Sequence, residues 1–207
     1  MSDRKIILVG YSGHGFVVAD TAFENNLNVI GYTEKSLNSS NPFNLEYLGN
    51  ESHPDFKWWD FDIDFLLGIG DNILRELIYN KIVQKGKKVI SLINSSASIS
   101  RYTTIGEGVF INRNVSINTF AKIGNNVLLN TGCIIEHDCE INDNVHIAPG
   151  AVLAGNVKVG AGTFIGANAV VKQGVIIGKN VIIGAGTVVL KDISDGKKIV
   201  GNPNRFI

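Results

Sequence analysis

The chain has 207 residues with 19 basic and 19 acidic side chains, so no bulk charge points to nucleic acid or a membrane surface as partner. That length accommodates two small domains, and no apolar run approaches the roughly 20 residues that span a membrane. Without an N-terminal apolar stretch of signal-peptide length, a cytoplasmic location is expected.

Ile6-Ile7-Leu8-Val9 reads as a short buried strand. Gly10-Tyr11-Ser12-Gly13-His14-Gly15 follows directly, and an apolar helix-like stretch begins at Phe16. Strand, glycine-rich turn and helix are the context in which backbone N–H groups cradle phosphate at a helix N-terminus. The spacing is G-x-x-G-x-G, unlike the dinucleotide fingerprint G-x-G-x-x-G, so an anion-binding turn is expected and a redox cofactor is not. A second strand over residues 28–32 puts Glu34 where an acid can meet a ribose hydroxyl. A third strand over 65–69 runs into Gly70-Asp71-Asn72, a helix covers 73–85, and 89–93 reads as a fourth strand. Ligands of open parallel sheets bind beyond the carboxyl ends of the strands, which groups the glycine turn, Thr33-Glu34 and Gly70-Asp71 around one crevice. At His14, phosphate donation and a purely structural role are equally open. Residues 35–64, with Trp58 and Trp59, show no periodicity and read as a covering loop. Residues 1–93 are thus expected to form an α/β, Rossmann-like domain.

From Ile99 to Val189 every sixth residue is Ile, Leu or Val, sixteen times in succession. Neither the helical period of 3.6 nor the strand period of two explains six; a coiled solenoid does. Two residues before each aliphatic stands Ala, Thr, Cys or Val, so each unit reads as a short strand with a small and a large inward residue. The residue after the aliphatic is often Gly (Gly106, Gly124, Gly160, Gly166, Gly178, Gly184) or Asn (Asn112, Asn118, Asn130, Asn142). These are expected to supply a left-handed backbone at the corners. Three strands and three corners make an eighteen-residue triangular coil, so residues 94–207 form an all-β domain. Cys133 and Cys139 fall in the small inward column and read as buried thiols, not as a disulfide or metal pair. From Asn156 onward seven basic residues face two acids, which suits a polyanionic ligand and equally a solvated surface.

Two of the four histidines lie in this domain. His146, between inward Val145 and Ile147, points outward, and His137 falls on a corner, so both are expected at the surface. Asp138 adjoins His137, and Glu136, Glu140 and Asp143 complete an acidic patch. A carboxylate beside an imidazole sets its tautomer and raises its basicity, as a general base requires. Gly155 lies eighteen residues on, one coil above His137, where a bare backbone admits a carbonyl to its N–H. A metal reading is poorer, because His137 and His146 are nine residues apart and diverge within one chain.

The turn GYSGHG, the motif IIEHDC at residues 134–139, the segment NVHIAPGAVLAGNVKVG and the closing GNPNRF together resemble the NeuD/PglD family of bacterial sugar acetyltransferases. The resemblance implies a left-handed parallel β-helix joined to an N-terminal nucleotide-sugar domain. It implies a homotrimer with sites in the clefts between solenoids, which would bring His137 and His146 to one cleft. It assigns His137 as general base and Asp138 as its tuning acid, whereas the role of Gly155 as oxyanion donor rests on its place one coil above His137. His146, Gly155, Ala167 and Ala185 would contact acetyl-coenzyme A, and no metal is needed. Ser12, Gly13, His14, Thr33, Glu34, Gly70 and Asp71 would approach the nucleotide sugar. Thr33-Glu34 departs from relatives that pair two acids at that place.

The expected reaction is acetyl-coenzyme A-dependent N-acetylation of a nucleotide-linked 4-amino-4,6-dideoxyhexose (UDP-, GDP- or dTDP-linked) in bacterial surface glycan synthesis. O-acetylation of a sugar of the sialic acid type would use the same base and oxyanion donor. A reading of another class, a nucleotide-sugar-binding scaffold without catalysis, accounts for the repeats but not for base, carboxylate and glycine on adjacent coils.

Overall fold

The computed structural model describes residues 4–207, apart from the side chain of Phe206. Internal contacts divide it into two units, Met1–Leu92 and Ile93–Ile207, each with its own apolar core.

The first unit is a parallel sheet with two helices. Its strands are β1 (Ile6–Val9), β2 (Val29–Thr33), β3 (Asp64–Leu67) and β4 (Lys88–Val89), in the order β2-β1-β3-β4. All four residues of central β1 are buried, as a continuous apolar run in a parallel sheet should be. Helix α1 (Gly13–Glu24) follows β1 and α2 (Asn72–Gln84) follows β3. The glycine turn needs its glycines for two different reasons. Gly10 has φ +86°, a left-handed conformation open to glycine. Gly15 and Gly68 have no room for a side chain, since a Cβ on either would run into the Gly10 carbonyl oxygen.

The strand expected over 89–93 is in fact two. Ile90 N–H still bonds Phe65 O at 3.0 Å, whereas Asn94 N–H bonds Ile111 O at 2.8 Å, so the hydrogen-bonding partner changes between them. Leu92–Ile93 is therefore the first strand of the solenoid, one strand earlier than the repeat suggests. Residues 35–64 also carry more structure than a covering loop. Residues 46–48 extend along β2, with Tyr32 N–H to Glu46 O and Leu48 N–H to Tyr32 O both at 2.8 Å. Lys57–Asp60 is a 3-10 helix, and Trp59 packs its ring 5.3 Å from that of Phe65 in the core.

The second unit is a three-sided parallel β-solenoid. Two-residue strands recur every six residues and pair in register eighteen apart, as in Ile117↔Ile135↔Leu153↔Val171↔Val189 on one face. The aliphatic and small columns fill one continuous core from Val109 to Ile199. Each fully buried aliphatic side chain contributes roughly 1.5–3 kcal/mol relative to exposure. Cys133 and Cys139 lie in that core as free thiols, their pKa values pushed up by burial to about 12 and about 11.

The corners correct the expectation. The left-handed residue comes three after each aliphatic, not one after. From position 108 to 186 every sixth residue has positive φ: Gly108, Asn114, Phe120, Asn126, Gly132, Asp138, Asn144, Gly150, Asn156, Gly162, Asn168, Gly174, Asn180 and Gly186. The glycines directly after the aliphatics are needed for stacking. A Cβ on Gly160 would lie 2.5 Å from Gly178 C, and one on Gly106 2.7 Å from Gly124 C. The asparagines of that column fold the corner with side-chain oxygens. Arg113 N–H bonds Asn112 Oδ1 at 2.7 Å and Thr131 N–H bonds Asn130 Oδ1 at 2.8 Å.

Candidate active site

His137 follows the strand Ile134–Ile135 on a corner, with its side chain half exposed. Its Nδ1 is 2.8 Å from Asp138 Oδ2. An ionised carboxylate only accepts, so Nδ1 carries the proton and Nε2 presents a lone pair. The backbone tightens this stack: Asp138 N–H donates to Thr119 O on the coil below (3.1 Å), and Asn156 N–H to His137 O from the coil above (2.8 Å). Gly155 sits over the ring, where a Cβ would meet Cε1 and Nε2 at 2.5 Å. Its own carbonyl accepts from Gly174 N–H at 3.0 Å.

The acidic patch is resolved into separate tasks. Glu140 lies between Lys122 (3.5 Å) and Lys158 (3.7 Å) of the neighbouring coils, and Asp143 accepts from Asn125 N–H at 2.7 Å. Glu136 accepts from Asn118 Nδ2 at 3.0 Å. Asp138 alone of the four reaches His137 within hydrogen-bond distance.

His146 departs from its expectation. It points away from the coil, yet it is buried, with 8% of its surface exposed. Large residues occupy its column in register: Phe110, Leu128, His146 and Phe164. Phe164 meets its ring edge-on at 4.9 Å, and Asn130 Nδ2 is 3.4 Å from Nε2. Alternation sets the direction of a side chain but not the bulk of the coils beside it. Ala167 and Ala185 stack at the corner after the same face, linked through Gly186 N–H to Ala167 O at 2.8 Å. His137, Asp138 and Gly155 thus share one corner of the coil, while His146, Ala167 and Ala185 belong to another face and corner. A single chain does not bring the two sets together.

In the first unit, Ser12, His14, Thr33, Glu34, Gly70 and Asp71 line one cavity of about 500 Å³ at the carboxyl ends of the strands. Gly13 does not line it, and a Cβ there would meet nothing within 4 Å. Thr33 is fully buried, its hydroxyl without a hydrogen-bond partner among the described residues. Glu34 is committed to the backbone: it accepts from Tyr11 N–H and Lys35 N–H, both at 3.1 Å, and so ties β2 to the glycine turn. Asp71 caps α2 by accepting from Leu74 N–H at 2.8 Å. Burial, with the nearby Arg75 charge, lowers the His14 pKa to about 4, so this imidazole is neutral at physiological pH. Arg75 is itself buried and holds the turn beneath the cavity, donating to Gly70 O at 3.2 Å and Asn72 Oδ1 at 3.1 Å.

Residues 5–82 match the PglD N-terminal domain, and residues 120–155 and 156–191 match the bacterial transferase hexapeptide (six repeats). The chain joins a PglD N-terminal domain to bacterial transferase hexapeptide repeats. PerB from Caulobacter crescentus, solved in complex with CoA and GDP-perosamine, is 29% identical with a TM-score of 0.91, covering 100% of this chain and 98% of that one. The acetyltransferase domain of PglB from Neisseria gonorrhoeae FA1090, solved with acetyl coenzyme A, is 28% identical with a TM-score of 0.90 over 100% of both chains. WeeI from Acinetobacter baumannii AYE is 25% identical with a TM-score of 0.88, covering 99% of this chain and 100% of that one.

In this transferase the sequence reading missed Lys35, Asn50, Glu51 and Ser52, which also line the N-terminal cavity. They come from the segment without periodicity, whose only signal is a polar run. It missed Asn130 as well, the partner of His146. Among the described residues no three His, Cys, Asp or Glu side chains are grouped as metal ligands, and no helix is long and apolar enough to cross a membrane.

Proposed function

We propose that the protein transfers acetyl from acetyl-coenzyme A to the amine of a nucleotide-linked 4-amino-4,6-dideoxyhexose. The observation that carries this is the His137–Asp138–Gly155 stack, within a chain whose full length is similar to acetyltransferases solved with acetyl coenzyme A, or with CoA and GDP-perosamine.

The amine nitrogen attacks the thioester carbonyl carbon, and His137 Nε2 takes the proton released by that nitrogen. Asp138 holds the other imidazole nitrogen protonated and stabilises the imidazolium that forms. The Gly155 N–H is the proposed donor to the tetrahedral oxyanion. Collapse breaks the C–S bond, and the proton on His137 passes to the departing coenzyme A sulfur. The cavity at Ser12, His14, Glu34, Gly70 and Asp71 takes the nucleotide diphosphate, where the N-termini of α1 and α2 favour an anion. His146, Ala167 and Ala185 take the coenzyme. Their separation from His137 on the coil supports a homotrimer in which adjacent solenoids complete each site. No step requires a metal.

The test is incubation with acetyl-coenzyme A and a panel of UDP-, GDP- and dTDP-linked amino sugars, with free thiol as readout. Thiol release with one amino sugar and not with its hydroxyl counterpart supports N-acetylation. Release with hydroxyl acceptors alone transfers the reading to O-acetylation, and release with none sinks it.

A further inference from the structure

Fourteen corner residues at six-residue intervals hold a left-handed backbone, and thirteen of them are Gly, Asn or Asp. The exception is Phe120, with φ +60°. A side chain without a short polar group makes that conformation unfavourable by roughly 1–2 kcal/mol. Apolar packing within the coil does not compensate, because Phe120 is 57% exposed. Its ring lies beside another exposed ring, Tyr102 of the coil below, at 5.7 Å between centroids. Arg101 holds that second ring in place, with its guanidinium 4.8 Å from the Tyr102 centroid and Nη2 bonded to Tyr102 Oη at 2.8 Å.

The place of this strained aromatic indicates its purpose. Phe120 lies eighteen residues before Asp138, directly beneath it in the corner column, and Thr119 O accepts the Asp138 N–H at 3.1 Å. Adjacent coils are about 4.8 Å apart, less than the span of a hexose ring. On the face leading into this corner is a trough of about 310 Å³, edged by Ser98, Ser100, Ser116, Asn118 and Glu136. Polar groups and an aromatic platform therefore meet one coil from the base.

That pairing fits an amphipathic sugar. Resting on the acetyl-transfer reading above, we infer that Phe120, backed by Tyr102, is the acceptor platform: it packs against the apolar face and C6 methyl of a 6-deoxy amino hexose whose amine is at His137. The hydroxyl edge of the sugar then faces the serine-lined trough. Phe120 is kept despite its backbone because its ring selects a deoxygenated sugar.

The experiment compares wild type with Phe120→Asn and Phe120→Tyr. Asn suits the left-handed corner, so Phe120→Asn should melt no lower than wild type, while its KM for the 6-deoxy acceptor rises about tenfold or more. KM for acetyl-coenzyme A should not change. Preference for the 6-deoxy over the 6-hydroxy acceptor should fall in Phe120→Asn and persist in Phe120→Tyr, which keeps the ring. An unchanged acceptor KM in a folded Phe120→Asn overturns the inference, as does an equal rise in both KM values. A change in oligomeric state by light scattering with acceptor KM intact makes Phe120 a contact between copies and also overturns it. Absence of thiol release by the wild type with every amino sugar rejects the acetyl-transfer reading, and the platform with it; normal wild-type release with an unaffected variant rejects the platform alone.

Discussion

A Cβ built on Gly155 stands 2.5 Å from Nε2 of His137. Gly155 does not belong to the left-handed corner column, so its backbone conformation does not demand glycine; the ring on the coil below does. Gly155→Ala should therefore fold with a near-normal melting temperature but tilt the imidazole. A displacement of about 1 Å at a catalytic group can lower turnover by roughly 100-fold. Thermal melts and steady-state rates on one preparation check this. A wild-type rate would remove Gly155 from the site.

His137→Ala should lower turnover by about 10²–10⁴-fold with little effect on acetyl-coenzyme A affinity, since it removes the base and not the coenzyme contacts. Asp138→Asn should lower turnover less, because it removes the carboxylate that orients the imidazole and leaves the base in place. Asp138 has φ +59°, and Asn occupies six equivalent corners, so the variant tests tuning without disturbing the fold. Rate profiles of both variants against pH, with coenzyme titrations alongside, decide the outcome.

Stability should fall as pH drops from about 6.5 to about 4, partly through His14. The unfolded imidazole takes up a proton near 6.5, while the folded one resists until about 4, because burial and Arg75 disfavour its charged form. Protonation thus favours the unfolded state across that window, with a loss of roughly 3 kcal/mol once pH is below 4. His14→Gln should flatten this part of the curve. Urea unfolding of both proteins at a series of pH values measures the difference, and parallel curves would refute it.

The two glycine columns of the solenoid should respond differently to substitution. Gly174 has φ +76° and open space at its Cβ position, so Gly174→Ala should be unfavourable by roughly 1–2 kcal/mol and Gly174→Asn should restore most of it. At Gly160 a Cβ would meet the backbone of Gly178 on the next coil at 2.5 Å, so Gly160→Ala should destabilise by roughly 1–3 kcal/mol or more. Gly160→Asn should be worse still. Chemical denaturation of the four variants separates close stacking from backbone conformation.

Much of this was legible in the chain. Ile6 to Val9, the glycine turn and the sixteen aliphatics report on neighbours a few residues away, and the structure places strands, helix and coils accordingly. The corner column at 108–186 was equally visible in composition, but position alone does not say which residue of a four-residue bend carries positive φ. Asn50, Glu51 and Ser52 were not legible, because an aperiodic segment has no pattern that assigns its side chains to a face.

By itself the sequence determined the solenoid, its inward columns, and the neighbours His137 and Asp138. Those follow from alternation along a strand and from a repeat that returns each residue over its counterpart eighteen positions back. Tertiary structure alone decided what the stacked coils do to one another. It confined the His137 ring beneath Gly155, drew Glu140 away between Lys122 and Lys158, and buried the outward-pointing His146 beside Phe164. Period fixes direction and height on the coil, whereas contact depends on the volume and charge of side chains that meet only after the coils have stacked.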